Sequence, residues 1–302
     1  NIKIIPRDSG SGENNKLTKG IQEIVAAGAK VIIGPTDSNN YKELNRYKDI
    51  IFISLSNKEP SIKDNVINIG ISLESQIAAL EKLVKNQKRK KTIIMYPDNE
   101  YSDFIDNKIK KIKLNSYKIF KYSSNPKILT GEIEKLTNYA QRKRNLENRK
   151  NLLEDKEDPQ SKYELKKLEQ KYTIGDVNFD SLIIIDFGNS LKSVLASLVF
   201  ADVDDEKVLF TTVNQWFDQS IFYENSVKNL FYPSVNFKNF KKYNEKYSKS
   251  FGLQPTEITI LAYDALGLIY YVWKKNNGIN SINDFFIKEK IKGKIGTFSF
   301  ND

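Results

Sequence analysis

The chain of 302 residues has no cysteine and no histidine, and only one methionine and two tryptophans. Without cysteine there can be no disulfide and no thiolate chemistry. Without histidine the commonest general base and the commonest metal ligand are both missing. Ser-His-Asp hydrolysis, thiol proteolysis and ordinary zinc sites are thereby excluded, and only carboxylate, lysine or tyrosine chemistry stays open. Phosphate-binding signatures are missing as well: no G-x-x-x-x-G-K-[ST] occurs and no G-x-G-x-x-G follows a strand pattern, which disfavours nucleotide binding. DFGNS, Asp186–Ser190, stands without the other kinase elements and ahead of a helix pattern. No apolar run reaches the roughly 18 residues of a spanning helix. The opening NIKIIPRDSG has no signal-peptide pattern and reads as the start of a fragment or mature portion.

What is present is a globular composition. Hydrophobic residues make up 39% and aromatics 12%, too apolar for a disordered chain. The length allows two domains of ordinary size. Lys+Arg number 48 against Asp+Glu 38, a formal net charge of +10. A concentrated basic patch would point to an anionic partner. The densest run, KNQKRKK at Lys85–Lys91, lies between a helix pattern and a strand pattern and reads as a solvated turn between domains rather than a binding patch, so no nucleic-acid partner is expected.

Along the chain, short β-type runs alternate with helical patterns. Ile2–Ile5, Val31–Ile33, Ile50–Ile53 and Val66–Ile69 read as strands, and Leu17–Ala27, Tyr41–Tyr47 and the stretch holding Ile77, Leu80, Leu83 and Val84 read as helices. After the basic turn the alternation resumes with strands at Thr92–Tyr96, Tyr117–Tyr122, Phe179–Ile185 and Val208–Thr212. Helices are expected at Tyr101–Leu114 and Leu191–Phe200. This order predicts an α/β fold with two lobes, each a parallel sheet flanked by helices. The expected division is residues 1–90 with 231–290 for the first lobe, and 91–230 with 291–302 for the second. The charged segment Glu132–Tyr172 predicts two amphipathic helices broken at EDPQS, a hairpin insertion that is either a solvated surface feature or a docking arm for a partner. Towards the end, Phe237–Phe251 and Glu257–Lys275 read as helices, with Gly252 at the stop of the first and Thr256 as the N-cap of the second. Phe298 and Phe300 alternate with polar residues like a strand.

In open parallel sheets, ligands bind beyond the carboxyl ends of the strands, where helix N-termini point free N–H groups. GPTDS meets that condition: Thr36, Asp37 and Ser38 follow a strand, and they either cap the next helix or hold a ligand. Ser54 and Ser56, Tyr101, Asp186, and Asn214 with Trp216 follow other strands and would line a cleft between the lobes. Polar loops are also ordinary in α/β proteins.

The succession PRDSG, AAGAKVIIGPTDS, IIFISLSN, VINIGIS and TIIMYPDNEYS resembles the type I periplasmic binding proteins, of which leucine-binding receptors are examples. FDSLIIIDFGNSLKSVLASLVFADVD, VLFTTVNQW, FYPSV, ITILAYDALGLIYYV and GKIGTFSF further resemble the LppC family of penicillin-binding protein activators of alphaproteobacteria. That resemblance implies a non-catalytic periplasmic protein without cofactor or bound metal. It would stimulate a bifunctional peptidoglycan synthase by direct contact, as a lipoprotein anchored to the outer membrane by an N-terminal lipid. The wider resemblance implies the alternative, a receptor that delivers an amino acid or similar small carboxylate to an ABC permease. There, Ser and Thr groups would hold the ligand's carboxylate, matching Ser38, Ser54 and Ser56, and a tyrosine matching Tyr101 would meet its amino group together with an acid. The acid has no clear counterpart, Asp186 being the candidate. Members of the group have a further initial strand and helix and a further final strand, so the first lobe is expected to be incomplete here.

Overall fold

Val31–Ile33 and Ile51–Ser54 are too short and too rich in β-branched residues to hold a helix, and they become neighbouring parallel strands. In the computed structural model, residues 3–10, 14–36, 41–56, 64–114, 116–215 and 227–298 are described. The chain divides into two compact units, unit 1 from residues 1–73 and 234–302 and unit 2 from residues 74–233.

Unit 1 begins with α1 (Asn14–Ala26), then β1 (Val31–Ile33), α2 (Tyr41–Leu44), β2 (Ile51–Ser54) and β3 (Val66–Asn68). The three strands form a parallel sheet in that order. Phe52 and Val66 join Leu17 and Ile21 of α1 and Leu44 of α2 in one cluster. Because side chains alternate along a strand, Ile51 and Ile53 take the opposite face, where they too are buried. A sheet covered on both faces needs continuous apolar strands, as IFIS shows.

Unit 2 holds α3 (Leu73–Asn86), which starts on the last residue of unit 1, and then β4 (Thr92–Pro97), α4 (Ser102–Ile109), β5 (Tyr117–Tyr122), α5 (Pro126–Leu136), α6 (Tyr139–Glu154) and α7 (Pro159–Glu169). It continues with β6 (Ser181–Ile184), α8 (Gly188–Phe200), β7 (Leu209–Thr212) and β8 (Leu230–Phe231). Its five strands are all parallel in the order β5-β4-β6-β7-β8. Met95, Leu182 and Ile184 pack with Leu129 and Ile133 of α5 and with Leu191, Val194 and Leu198 of α8. The alternate residues Ile94, Tyr96 and Ile183 are equally buried.

The chain then returns to unit 1 through α9 (Phe237–Phe251) and α10 (Glu257–Asn276), a 3-10 turn at Ile282–Phe285, and the antiparallel pair β9 (Ile291–Lys292) and β10 (Thr297–Phe298). Gly252 ends α9 in the left-handed region at φ 69°, where glycine carries no Cβ penalty. At the start of α10 the Thr256 N–H donates to Thr259 Oγ1 at 3.1 Å. The buried carboxylate of Asp264 on α10 accepts from the amides of Lys294 and Ile295, each at 2.8 Å, which ties residues 291–298 to unit 1 rather than to unit 2. The first boundary lies at Leu73, ahead of α3, rather than at the basic turn.

Several expectations need correction. Residues 3–10 form no regular strand, and Ile4 is 67% exposed, since no neighbouring strand pairs with this run among the described residues. The second helix ends at Leu44, ahead of Tyr47, where the Asn65 Nδ2 takes the carbonyls of Leu44, Tyr47 and Ile50. The helix expected over Tyr101–Leu114 spans only Ser102–Ile109. Three helices, not two, occupy the charged region, because Asn138 adopts a left-handed conformation at φ 51° and separates α5 from α6. The break at EDPQS is where it was expected: Asp158 Oδ1 accepts from the Ser161 N–H at 2.9 Å, and Pro159 opens α7.

Candidate ligand site

The parallel sheet of unit 1 brings its three carboxyl ends to one edge, and polar residues follow each strand. After β1, Gly34 donates from its N–H to the Ile53 carbonyl at 2.8 Å, Pro35 is buried, and Thr36 is exposed. At the end of β2, Ser54 is fully buried and its hydroxyl donates to the Pro35 carbonyl at 3.4 Å. The same oxygen accepts from the Ser56 N–H at 3.2 Å. Thr36, Ser54 and Ser56 therefore stand together along the edge shared by β1 and β2. Asp37 and Ser38 lie outside the described residues, as does Trp216.

The third strand end closes this edge tightly. A Cβ on Gly70 would lie 1.9 Å from the Ser56 carbonyl oxygen, so only glycine fits against that turn. The Gly70 N–H is turned to the Asn68 side chain at 2.8 Å. The resulting edge is built of hydroxyls and backbone amides, the group types that bind polar or anionic ligands, although the Gly34, Ser56 and Gly70 amides and the Ser54 hydroxyl are already engaged within it.

In unit 2 the carboxyl ends of β4, β5, β6 and β7 share a second edge. Tyr101, half-buried, precedes α4; its N–H donates to Asn99 Oδ1 at 2.9 Å, and its carbonyl accepts from Ile105 as the helix begins. Asp186 follows β6 and is buried. One carboxylate oxygen accepts the Tyr122 hydroxyl at 2.6 Å and the other accepts the Phe187 N–H at 2.7 Å. Burial, with the Asp186 carboxylate beside it, holds the Tyr122 hydroxyl well above the usual tyrosine range, so Tyr122 is a donor at all physiological pH.

Asn214, after β7, is buried; its N–H donates to Gln76 Oε1 of α3 and its Nδ2 to the Pro233 carbonyl, both at 2.8 Å. Gln215 links the two loops: its Nε2 donates to the Asp186 carbonyl at 2.9 Å, while its Oε1 accepts from the Gly188 N–H at 3.1 Å. Asp186 and Asn214 are thus brought together through Gln215.

Tyr122, Gln76, Gln215 and Gly70 were not singled out from the sequence. A tyrosine closing an alternating strand and two glutamines carry no local signal. For Gly70 the signal was a small residue directly after a strand pattern. Among the described residues, no group of three or more carboxylates is arranged to hold a metal ion. Nor is any described helix long and apolar enough to cross a membrane.

No protein-family model and no curated protein matches the chain. Solved structures do. An ABC transporter substrate-binding protein from Desulfitobacterium hafniense, in complex with Leu, aligns with TM-score 0.63 and 15% identity over 96% of this chain and 80% of its own. The leucine-binding protein LivK from Thermotoga maritima aligns with TM-score 0.59 and 13% identity over 96% of this chain and 78% of its own. The branched-chain amino acid transporter substrate-binding protein LivJ from Streptococcus pneumoniae, in complex with isoleucine, gives TM-score 0.58 and 15% identity over 96% and 77%. The fold is that of the type I periplasmic binding proteins. None of these three is a penicillin-binding protein activator.

Proposed function

We propose that this chain is a periplasmic solute-binding protein that takes up a small polar organic ligand, an amino acid or another small carboxylate, and hands it to an ABC permease. This departs from the activator role that the sequence favoured. The observation that carries the reading is the edge of unit 1, where Ser54 joins Pro35, next to Thr36, and Ser56, whose carbonyl packs against Gly70, on a fold whose solved examples include complexes with leucine and isoleucine. Asp37 and Ser38, which follow Thr36 in the sequence, belong to the proposal by their place in GPTDS, and Tyr101, Asp186 and Asn214 are the candidate ligand contacts on unit 2 taken by itself. Hydroxyls and amides of the unit 1 edge would take the ligand's carboxylate, and on unit 2 Tyr101 and Asp186 are groups of the kind that take an amino group. No bond is made or broken.

A thermal-shift screen against amino acids and small carboxylates tests this. A ligand at 100 times its Kd that binds only the folded state adds about 2.7 kcal/mol, a shift of a few degrees for a chain of this size. The expected result is a saturable shift with one chemical class, lost on Thr36→Ala with Ser56→Ala while the melt stays cooperative. No shift with any compound on a cooperatively melting protein rejects the reading.

The second reading, a non-catalytic activator of a bifunctional peptidoglycan synthase, is favoured by two observations. Asp186 already has the Tyr122 hydroxyl as its partner, and α6 with α7 forms a charged insertion. It predicts a silent screen, direct capture of a peptidoglycan synthase, and weaker capture once residues 132–172 are deleted.

A further inference from the structure

The charge of the chain is unevenly placed. Residues 234–298, about a fifth of the sequence, hold eleven lysines, no arginine and five carboxylates, so +6 of the net +10 lies there. Five of those lysines, Lys238, Lys241, Lys242, Lys246 and Lys249, are on α9 with a single acid, Glu245, and no residue of this helix is buried. Its aromatic residues recur at three- and four-residue spacing, so they form one stripe, and the lysines occupy the rest of the circumference.

The stripe is continuous with a second one. Tyr247 packs on Phe251 at 4.7 Å between ring centroids, and Tyr243 reaches Tyr263 of α10 at 5.6 Å. On α10 the core face is Ile260, Leu261, Ala265, Leu268 and Val272, and the opposite face presents Tyr263, Tyr270 and Trp273 at 48%, 51% and 40% exposure. At the ends of α9, Phe237 is 76% and Phe251 65% exposed. Such a surface needs an occupant.

We infer that the α9–α10 face of unit 1 docks on an anionic lipid surface, its aromatic rings at headgroup level and the α9 lysines over the phosphates. Charge is the first argument. A second copy of the chain packed symmetrically on this face would bring the lysines of one α9 towards those of the other, whereas an anionic bilayer attracts them. Side-chain type is the second. Tyr243, Tyr247, Tyr263, Tyr270 and Trp273 combine an apolar ring with a polar tip, the pattern of interfacial belts, and lysine stems can lie along apolar surface with the ammonium in the headgroups. The inference is independent of the proposed solute-binding role.

Co-sedimentation of the intact chain with vesicles tests it, using phosphatidylcholine alone and equal parts phosphatidylcholine and phosphatidylglycerol. Binding is expected only with phosphatidylglycerol present, weakening as salt is raised. In a Trp216→Phe background the emission of Trp273 should move to shorter wavelength on binding. Lys241→Gln, Lys242→Gln and Lys246→Gln together, all at exposed positions, should lower partitioning on the order of a hundredfold, about fivefold per lysine. Lys143→Gln, Lys166→Gln and Lys167→Gln on the exposed sides of α6 and α7 should leave it unchanged. The inference is overturned if phosphatidylglycerol vesicles capture no protein, or if the second triple variant loses as much binding as the first. It is equally overturned if Phe251→Ser abolishes a concentration-dependent dimer while lipid binding is unaffected, which would assign the face to a second copy.

Discussion

The Tyr122 hydroxyl donates to the Asp186 carboxylate across 2.6 Å inside unit 2, and it does so over the top of an intervening strand, because β4 lies between β5 and β6. A side chain of ordinary strand length would not span that gap, and the tyrosine ring supplies the reach. Tyr122→Phe removes the donor and leaves a buried carboxylate oxygen short of one hydrogen bond. The expected loss is about 1.5–3 kcal/mol, the range for hydrogen bonds to charged groups, read by urea unfolding. The double variant with Asp186→Asn should cost less than the sum of the two singles. Strict additivity would mean that the two side chains do not act as a pair.

Gly70→Ala joins stability to ligand binding. Its new Cβ would meet the Ser56 carbonyl, a backbone atom that cannot rotate away, so the turns after β2 and β3 must separate. A loss of about 1–3 kcal/mol is expected, in the range of overpacked sites. Under the proposed function the same shift moves Ser56, so affinity for the ligand found in the screen should fall more than for Gly28→Ala. At Gly28 nothing lies within 4 Å of an added Cβ and the cost is one of backbone conformation alone. Equal affinities in the two variants would remove Ser56 from the site.

How much of this was legible follows from what each residue needs to be read. TIIMYP carries the unbroken apolar run Ile93–Met95 and its neighbours in chain are helical, so a buried parallel strand could be read directly. The start of α10 was equally local, since Thr256 and the apolar spacing after it lie within one window. Ile2–Ile5 looked the same by composition, yet Ile4 is exposed: a strand needs a partner, and partner choice is not written in the run itself. The polar anchors failed for a related reason. Gln76 meets Asn214 and Asp186 meets Tyr122 across long stretches of chain, and a buried glutamine or tyrosine is chosen by what the fold places opposite its polar atom.

Arg142 was read only as part of a charged helix, yet it is buried and holds three carbonyls. Its Nε donates to Gly175 at 2.9 Å, and its two terminal nitrogens donate to Ala201 and Asp202, each at 2.8 Å. It thereby fixes α6 to the turn after α8. Arg142→Met keeps the apolar stem but leaves the carbonyls short of donors, at an expected cost of about 3 kcal/mol in urea unfolding. Hydrogen exchange should rise first in α6 and α7, whose own small cluster is Leu146, Leu153 and Leu168. A uniform rise across unit 2 would show that the hairpin does not open separately.

Glu74, in the first turn of α3, is held by Lys108 at 2.6 Å and by Lys111 at 3.6 Å. The hydrogen bond from Lys108 lowers the Glu74 carboxyl below its ordinary value of 4.5, against a smaller opposing effect of burial. A carboxyl lowered in the folded state releases its proton more easily there than in the unfolded chain. The pair therefore stabilises the fold above about pH 4.5, and that contribution is lost as the pH falls through the folded-state value. Both side chains are partly exposed, so screening reduces the effect, and Lys108→Met should cost only about 0.5–1 kcal/mol at neutral pH. The difference between variant and parent should vanish in acid. If it persists there, the contribution of Lys108 comes from its ammonium over the Phe104 ring, 5.0 Å from the centroid, because a cation–π contact does not depend on the charge of Glu74.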